Sequence, residues 1–391
     1  MSKKISIIDV SSGQIRLALI DTKYSNAYLY HKALPYEGYQ DGEFFDVQEL
    51  FSKISSLIKE CEETTFISLD EILIGVPGEF TSVVCQHVDY DLGVRRKVND
   101  KDVAFLFETG RDSLNEENQI AISTAPIYYL LDDKEKVINP IGKNVNKLSG
   151  LISYVLCEKS FIKLFDSIAQ SNGVKFNYTS SILAEVMFLI PENVRDQGVI
   201  FVDYGYISTT VNYVQGDGIV YSISFSLGSG NIAADLTIVN EIPFEHSLEL
   251  LKKVNLNIKP ITEDEYVIFI KKDNYAYNMR IVNEIVLARL EDIAAIMEKA
   301  INMCPSNIPQ SVPVIITGAG LGTMIGIKEV FSKILNRQIS FVAPSIPQLN
   351  KYSDSSLAAL ILLIDKGYQK PSFSFKKLIN KIKNKFRQKS R

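Results

Sequence analysis

Histidine and cysteine are scarce in this 391-residue chain, at three and four residues. His31, His87 and His246 have no metal-ligand spacing, and Cys61, Cys85, Cys157 and Cys304 form no CxxC pair. Zinc sites, thiol-redox motifs and disulfide frameworks are disfavoured by that scatter, which fits free thiols in a reducing compartment. Long apolar runs are missing as well. The longest, residues 357–364, falls well short of the roughly 20 residues that cross a bilayer as a helix. Residues 1–10 lack the apolar stretch of a secretory leader. The body of the chain therefore reads as cytosolic.

Charge is plentiful but unevenly placed. The whole carries a formal −4, yet residues 371–391 hold eight Lys/Arg and no acid, which leaves −12 on residues 1–370. An acidic body with a basic end implies that the end has an anionic partner of its own. That segment reads PSFSFKKLINKIKNKFRQKSR. Phe375, Leu378, Ile379, Ile382 and Phe386 fall on one face of a helix, and lysines and arginines fill the rest. This is the composition of an interfacial helix on an anionic membrane, with Pro371 in the tether before it. Such dense lysine argues against core packing, and two Phe on a clean apolar face argue against a nucleic-acid arm. Each basic residue near anionic lipid contributes up to ~1 kcal/mol. Ordering the segment offsets much of the total, so one copy binds weakly and a row of copies binds strongly.

A repeated unit organises the rest. IIDVSSGQIRLALID (7–21) and IFVDYGYISTTVNYV (200–214) each run an apolar strand into Asp, turn through small residues and return as a strand. Turn amides make a nest for an anion, and an Asp at the strand end can hold Mg²⁺ through water. Asp9, Ser11, Ser12, Gly13 and Gln14 belong to the first unit, and Asp203, Gly205, Ser208 and Thr209 to the second. One such hairpin is a weak signal; two in equivalent places suggest opposed lobes gripping a phosphate chain. VIITGAGLGTMIG (314–326) is a strand, a Gly-rich turn (Gly318, Gly320) and a helix starting at Met324. By itself it is an ordinary strand–helix turn. Further helices are expected at 47–61 behind an Asp46 cap, at 161–168, at 281–303 and at 357–366, with strands between them, which makes the class α/β.

Together these segments resemble the actin, sugar-kinase and heat-shock-chaperone superfamily, and within it the FtsA family of bacterial cell-division proteins. ISTAPIYYLLDDKEKVINPIG (122–142) is similar to that family's inserted subdomain, and LGSGNIAADLT (227–237) with LELLK (248–252) to the segment after the second phosphate loop. IVNEIVLARLEDI (281–293) resembles the helix bordering the groove for the tail of the tubulin homologue FtsZ. The resemblance implies an actin-like two-lobed fold with duplicated nucleotide-binding hairpins. The first lobe would be 1–80 with 156–198, the inserted subdomain 81–155, and the second lobe 199–367, with 238–308 its small subdomain. Residues 368–391 would be the tether and membrane helix. It also implies ATP or ADP with Mg bound by the hairpin residues, Gly228, Gly230, Glu249, Lys252, Gly318, Gly320 and Met324, with Asp9 and Asp203 on the metal. Arg289 would meet the FtsZ C-terminal tail. Filaments of the chain itself, an anionic membrane and the division site follow as expectations, with no nucleic acid.

The departures from the family concern hydrolysis. Ser11 stands where the family has Gly, Tyr206-Ile207 where it has Gly-Gly, and Thr210 where it has a second Asp. Ser181-Ile182 stands where a Glu-Pro opens the preceding helix. Loss of a base and bulk beside the phosphates imply weak or absent turnover. The alternatives are a PilM-like pilus-assembly scaffold, which would lack the basic tail, and a small-molecule kinase of the same fold.

Overall fold

The computed structural model describes residues 4–21, 27–40, 42–322 and 324–365. Strands β1 (Lys4–Ser11) and β2 (Gly13–Asp21) form the first hairpin, in register from Lys4↔Asp21 to Ser11↔Gln14. Gly13 makes the turn at φ +104°, a region that side chains with a Cβ avoid. β3 (Ala27–Tyr36) extends the sheet beside β2, and the short hairpin β4 (Tyr39–Gln40) and β5 (Glu43–Phe44) follows. The Asp46 carboxylate accepts from the Glu49 amide at 2.9 Å and starts α1 (Val47–Thr65). Leu50, Ile54, Leu57, Ile58 and Cys61 of α1 are buried against the sheet. β6 (Glu71–Val76) lies parallel to β1.

The chain then leaves this sheet. β7 (Thr81–Lys97), α2 (Asp100–Asp112), β8 (Gln119–Leu131), β9 (Glu135–Val137) and β10 (Asn144–Glu158) build a separate antiparallel sheet, ordered β7-β10-β8-β9. It has its own small core, in which Val88, Leu106, Leu148 and Tyr154 meet. α3 (Lys159–Ser171) and β11 (Lys175–Ser180) complete the first sheet as β11-β6-β1-β2-β3. Two helices follow, α4 (Ser181–Leu189) and α5 (Glu192–Gln197).

The second half repeats the plan. β12 (Val199–Tyr204), β13 (Thr209–Gln215) and β14 (Gly218–Phe225) are antiparallel, and β17 (Val314–Thr317) and β18 (Ile339–Phe341) join parallel to β12. The order β14-β13-β12-β17-β18 matches β3-β2-β1-β6-β11 strand for strand. Between β14 and β17 lie α6 (Ser229–Asn240), α7 (Phe244–Leu251), the hairpin β15 (Glu265–Ile270) and β16 (Asp273–Asn278), and α8 (Met279–Asn302). α9 (Ile327–Leu335) begins three residues later than Met324, because Gly322 and Gly326 both hold positive φ and keep the preceding segment a turn.

Helix α4 joins the halves. Its Ile182, Leu183 and Val186 pack with Val199 and Phe201 of the second sheet, while Ala184 packs with Ile5, Ile7 and Ala18 of the first. A short helix that is apolar all round is a buried one. The last helix, α10 (Ser355–Asp365), was expected with the second lobe. It packs instead on α4 and the first sheet through Leu357, Leu360 and Ile361. Leu360 is fully buried, so Leu360→Ala should cost about 2–5 kcal/mol, the range for a large-to-small change in a core. A urea melt shifted by less than that would mean that α10 is not part of the folded body.

Candidate functional site

The two hairpins bring their Asp-ended tips together. Ser12 of the first loop accepts a hydrogen bond through Oγ from the Ile207 amide of the second, at 3.2 Å. Asp9 and Asp203 lie near the ends of the central strands β1 and β12, so the duplicated topology brings both carboxyl groups to one joint. The Cα of Gly318, at φ +106°, lies so close to Asp203 that a Cβ there would sit 2.3 Å from Oδ1. The Gly-rich turn thus closes the floor beneath Asp203.

Asp9 is completely buried. Arg16, its cross-strand partner, donates to Asp9 Oδ2 from Nε at 3.0 Å and again from Nη2. The Ser356 hydroxyl at the start of α10 donates to the other oxygen. Arg16 Nη1 donates to the Ser353 carbonyl at 2.6 Å and lies 3.5 Å from Asp354. Thr317 and Ser355 share a hydroxyl–hydroxyl bond at 2.6 Å beside them. One guanidinium therefore ties β1 and β2 to the segment leading into α10.

Glu185 was invisible in the sequence reading, which looked for an acid at position 181. It sits one helical turn further on, on the same face of α4, and is 1 % exposed. Burial raises its pKa well above the usual carboxylate value; the charges of Asp203 and Asp9 add to that, and Arg16 opposes it. Asp203 is pushed up to about 7, first by loss of water and then by Asp9. Both shifts are toward the protonated form. Glu185 Oε2 and Ser181 Oγ have no hydrogen-bond partner.

The loops are largely satisfied by one another. The Gly205 amide donates to the Ser208 carbonyl at 2.8 Å, Ser229 to Gly205 at 3.2 Å, and Gly230 to Tyr206 at 2.8 Å. Ser11 Oγ donates to the Gln14 carbonyl, and the fully buried Thr209 donates to Leu227 at 2.6 Å. Gly228 and Gly320 lie against the Gly205 carbonyl. The Tyr206 ring covers Gly13 on one side and Gly230 on the other, within 3.1 Å of a Cβ at either position. Its phenol is raised to about 12, mainly by burial and then by Glu37 of the first lobe. Thr210 donates to or accepts from Ser224 at 2.9 Å.

Other expected residues do not join this cluster. Glu249 and Lys252 pair with each other at 2.5 Å on the surface, and Met324 is buried in the second-lobe core. Arg289 on α8 makes a two-pronged contact with Asp235 of α6, at 2.6 and 2.9 Å, and approaches Asp292 at 3.5 Å. Glu284, also on α8, pairs with Arg280. Phe375, Leu378, Ile379, Ile382 and Phe386 lie outside the described residues. Among the described residues no helix is long and apolar enough to cross a membrane. A cavity of about 660 Å³ lies between Phe44, Glu79, Phe80 and Phe161 of the first lobe and Ser224 and Phe225 of the second.

Direct coordination of Mg²⁺ does not fit at Asp9. Both oxygens of Asp9 are engaged by protein donors, and no group of three or more His, Cys, Asp or Glu able to hold a metal is found among the described residues. The amides of Gly205, Ile207 and Gly230 are already bonded within the protein, and Tyr206 has to turn aside for an anion to reach Gly13.

Two sheets of identical strand order, each aiming an Asp-ended hairpin at the other across a shared helix, define an actin-like fold. The similarities agree. No family model matches the chain. It resembles the PilM–PilN type IV pilus biogenesis complex, with a TM-score of 0.58 at 9 % identity over 92 % of this chain and 97 % of that one. It also resembles MreB5 of Spiroplasma citri bound to ADP, at 0.54 and 10 % identity over 93 % and 98 %. In sequence it is similar to the cell division protein FtsA of Buchnera aphidicola, 19 % identical over 80 % of this chain and 77 % of the relative. FtsA of Bacillus subtilis is also 19 % identical, over 80 % and 72 %. The chain has the actin fold and is similar in sequence to FtsA proteins.

The raised carboxyl groups give a pH test. A carboxyl whose folded pKa lies above its ordinary value contributes most at low pH and loses that contribution as pH rises through the interval between the two. For Asp203 that interval runs from 3.8 to about 7. Asp203→Asn should therefore gain in melting temperature relative to the wild type as pH rises from 4 to 7, and level off above. A difference flat across that range would show that Asp203 titrates normally.

Proposed function

We propose that this chain is a membrane-anchored scaffold of cell division that binds the C-terminal tail of FtsZ, assembles with itself and holds an adenine nucleotide with little or no hydrolysis. The reading is carried by two agreeing features. Relatives named FtsA match four-fifths of the chain, and residues 371–391 combine eight basic residues with a single apolar stripe. The first lobe, the separate sheet at 81–158 in the role of the inserted subdomain, and the second lobe supply the body. The basic segment supplies the anchor, weak singly and strong when many copies align.

Nucleotide in this reading rests on loop backbone near Ser12, Gly13, Gly205 and Gly318. Turnover is slow because no acid is placed to activate water. Position 181 is Ser, Thr210 is bonded to Ser224, and the Glu185 carboxyl is sealed from solvent, its pKa raised by that burial. A scaffold of the PilM kind is the second reading, favoured by the structural likeness. Vesicle pelleting separates the two. The chain lacking residues 371–391 should fold normally and stop pelleting with anionic vesicles. Phe386→Glu and Ile379→Glu should each abolish pelleting even at low salt, while Lys381→Gln should give a graded loss that salt deepens. Pelleting that survives the deletion would contradict the anchor.

Arg289 serves the partner site in this reading. It can pair with a carboxylate only by leaving Asp235, and Ile238 and Val239, one turn along α6 from Asp235, are 72 % and 60 % exposed. An acidic peptide with apolar side chains suits that surface. Arg289→Glu should weaken binding of the FtsZ tail peptide by at least about tenfold, the loss of one good charged pair. Unchanged affinity would remove Arg289 from the site.

A further inference from the structure

The carboxyl groups at the hairpin tips stand where a divalent cation would be expected, yet a protein cation is already there. Arg16 is 2 % exposed and Asp9 is fully buried. Asp9 Oδ2 takes two N–H bonds from Arg16, and Oδ1 takes the Ser356 hydroxyl. Arg16 is held from its far side as well, by the Ser353 carbonyl at 2.6 Å and by Asp354 at 3.5 Å. It cannot swing away without breaking contacts to β1 and to the segment before α10.

We infer that Arg16 is the resident cation of this cleft, excluding divalent metal from Asp9 and Asp203, so that any phosphate ligand is bound metal-free. The last clause rests on the reading of the cleft as an anion site; the exclusion of metal does not. Mg²⁺ demands a near-ideal octahedron of oxygens and gives up its waters reluctantly. Asp9 has its oxygens committed to nitrogen and hydroxyl donors. A guanidinium keeps its charge at every accessible pH and its planar fork fits a carboxylate. The second hairpin shows the contrast. The residue opposite Asp203 is Thr210, which is neutral and bonded to Ser224. One of the two equivalent positions carries the charge, and Arg16 is thereby the residue that decides which ionic form of a ligand is accepted. Glu185 Oε2 and Ser181 Oγ, buried and unpartnered nearby, are the oxygen atoms left over for a small neutral guest such as water.

Mn²⁺ alone, titrated into the nucleotide-free full chain and followed by electron paramagnetic resonance, tests the exclusion. The wild type should show no Mn²⁺ binding that Asp203→Asn removes. Arg16→Gln should bind Mn²⁺ at least about tenfold more tightly, a change well outside titration error, and adding Asp203→Asn should abolish the gain. Arg16→Lys keeps the charge and should behave as the wild type. Wild-type Mn²⁺ binding that is lost in Asp203→Asn would overturn the inference, and this comparison decides even if Arg16→Gln fails to fold. Calorimetry with ATP in Mg²⁺ and in chelator adds a second arm. Equal affinity in both supports metal-free binding, and affinity more than about tenfold higher with Mg²⁺ overturns it. No binding in either would remove the anion-site reading and leave the metal exclusion to the Mn²⁺ result.

Discussion

The pair of Arg16 with Asp9 is the contact on which the joint between the lobes depends. It is a cross-strand pair made inside the first hairpin, yet its other bonds reach the segment before α10 and the first residues of that helix. Buried pairs of this kind contribute little by comparison with a well-packed apolar substitute, but removal of one partner costs about 3–5 kcal/mol because the other is left charged and dry. The geometry around it is accordingly fixed. β1 cannot shift in register without carrying α10, and α10 cannot leave without exposing the apolar face it shares with α4 and the first sheet.

α4 extends this constraint to the second lobe. It presents one side to each sheet and leaves Ser181 and Glu185 on the face toward the carboxyl cluster. With Ser12 bonded to the Ile207 amide and Tyr206 lying across Gly13, the cleft is spanned by the protein itself. The protein's own cation and its own tyrosine lie within that cleft. A scaffold whose shape is held by internal bonds gains a constant binding surface, and it gives up the power to change state with each nucleotide turned over.

Much of the frame could be read in the sequence. The hairpins, α1 with its Asp46 cap, β6 and α8 all carry strong period-two or helical patterns or clear caps, and each lies within a few residues of its expected place. What escaped had no such pattern. The long strand β7 carries charged residues through its second half and shows no sustained alternation. α4 is buried nearly all round and shows no apolar stripe, so nothing local marks Glu185. The pairing of Arg289 with Asp235 joins residues 54 apart, which no local signal reports. Asp9 and Asp203 were found as a pair because strand-end position is local; Arg16 as the counter-ion was missed because the same position in the second hairpin is a threonine.

The central claim is that internal contacts, not a metal-bound nucleotide, hold the lobes closed. It is tested most directly by measuring the distance between spin labels on the exposed faces of α1 and α8 in the full chain, with and without saturating Mg-ATP. One narrow distance distribution, unchanged by ligand, is the result the account predicts. A broad or two-peaked distribution without nucleotide that collapses to one peak on adding Mg-ATP would contradict it.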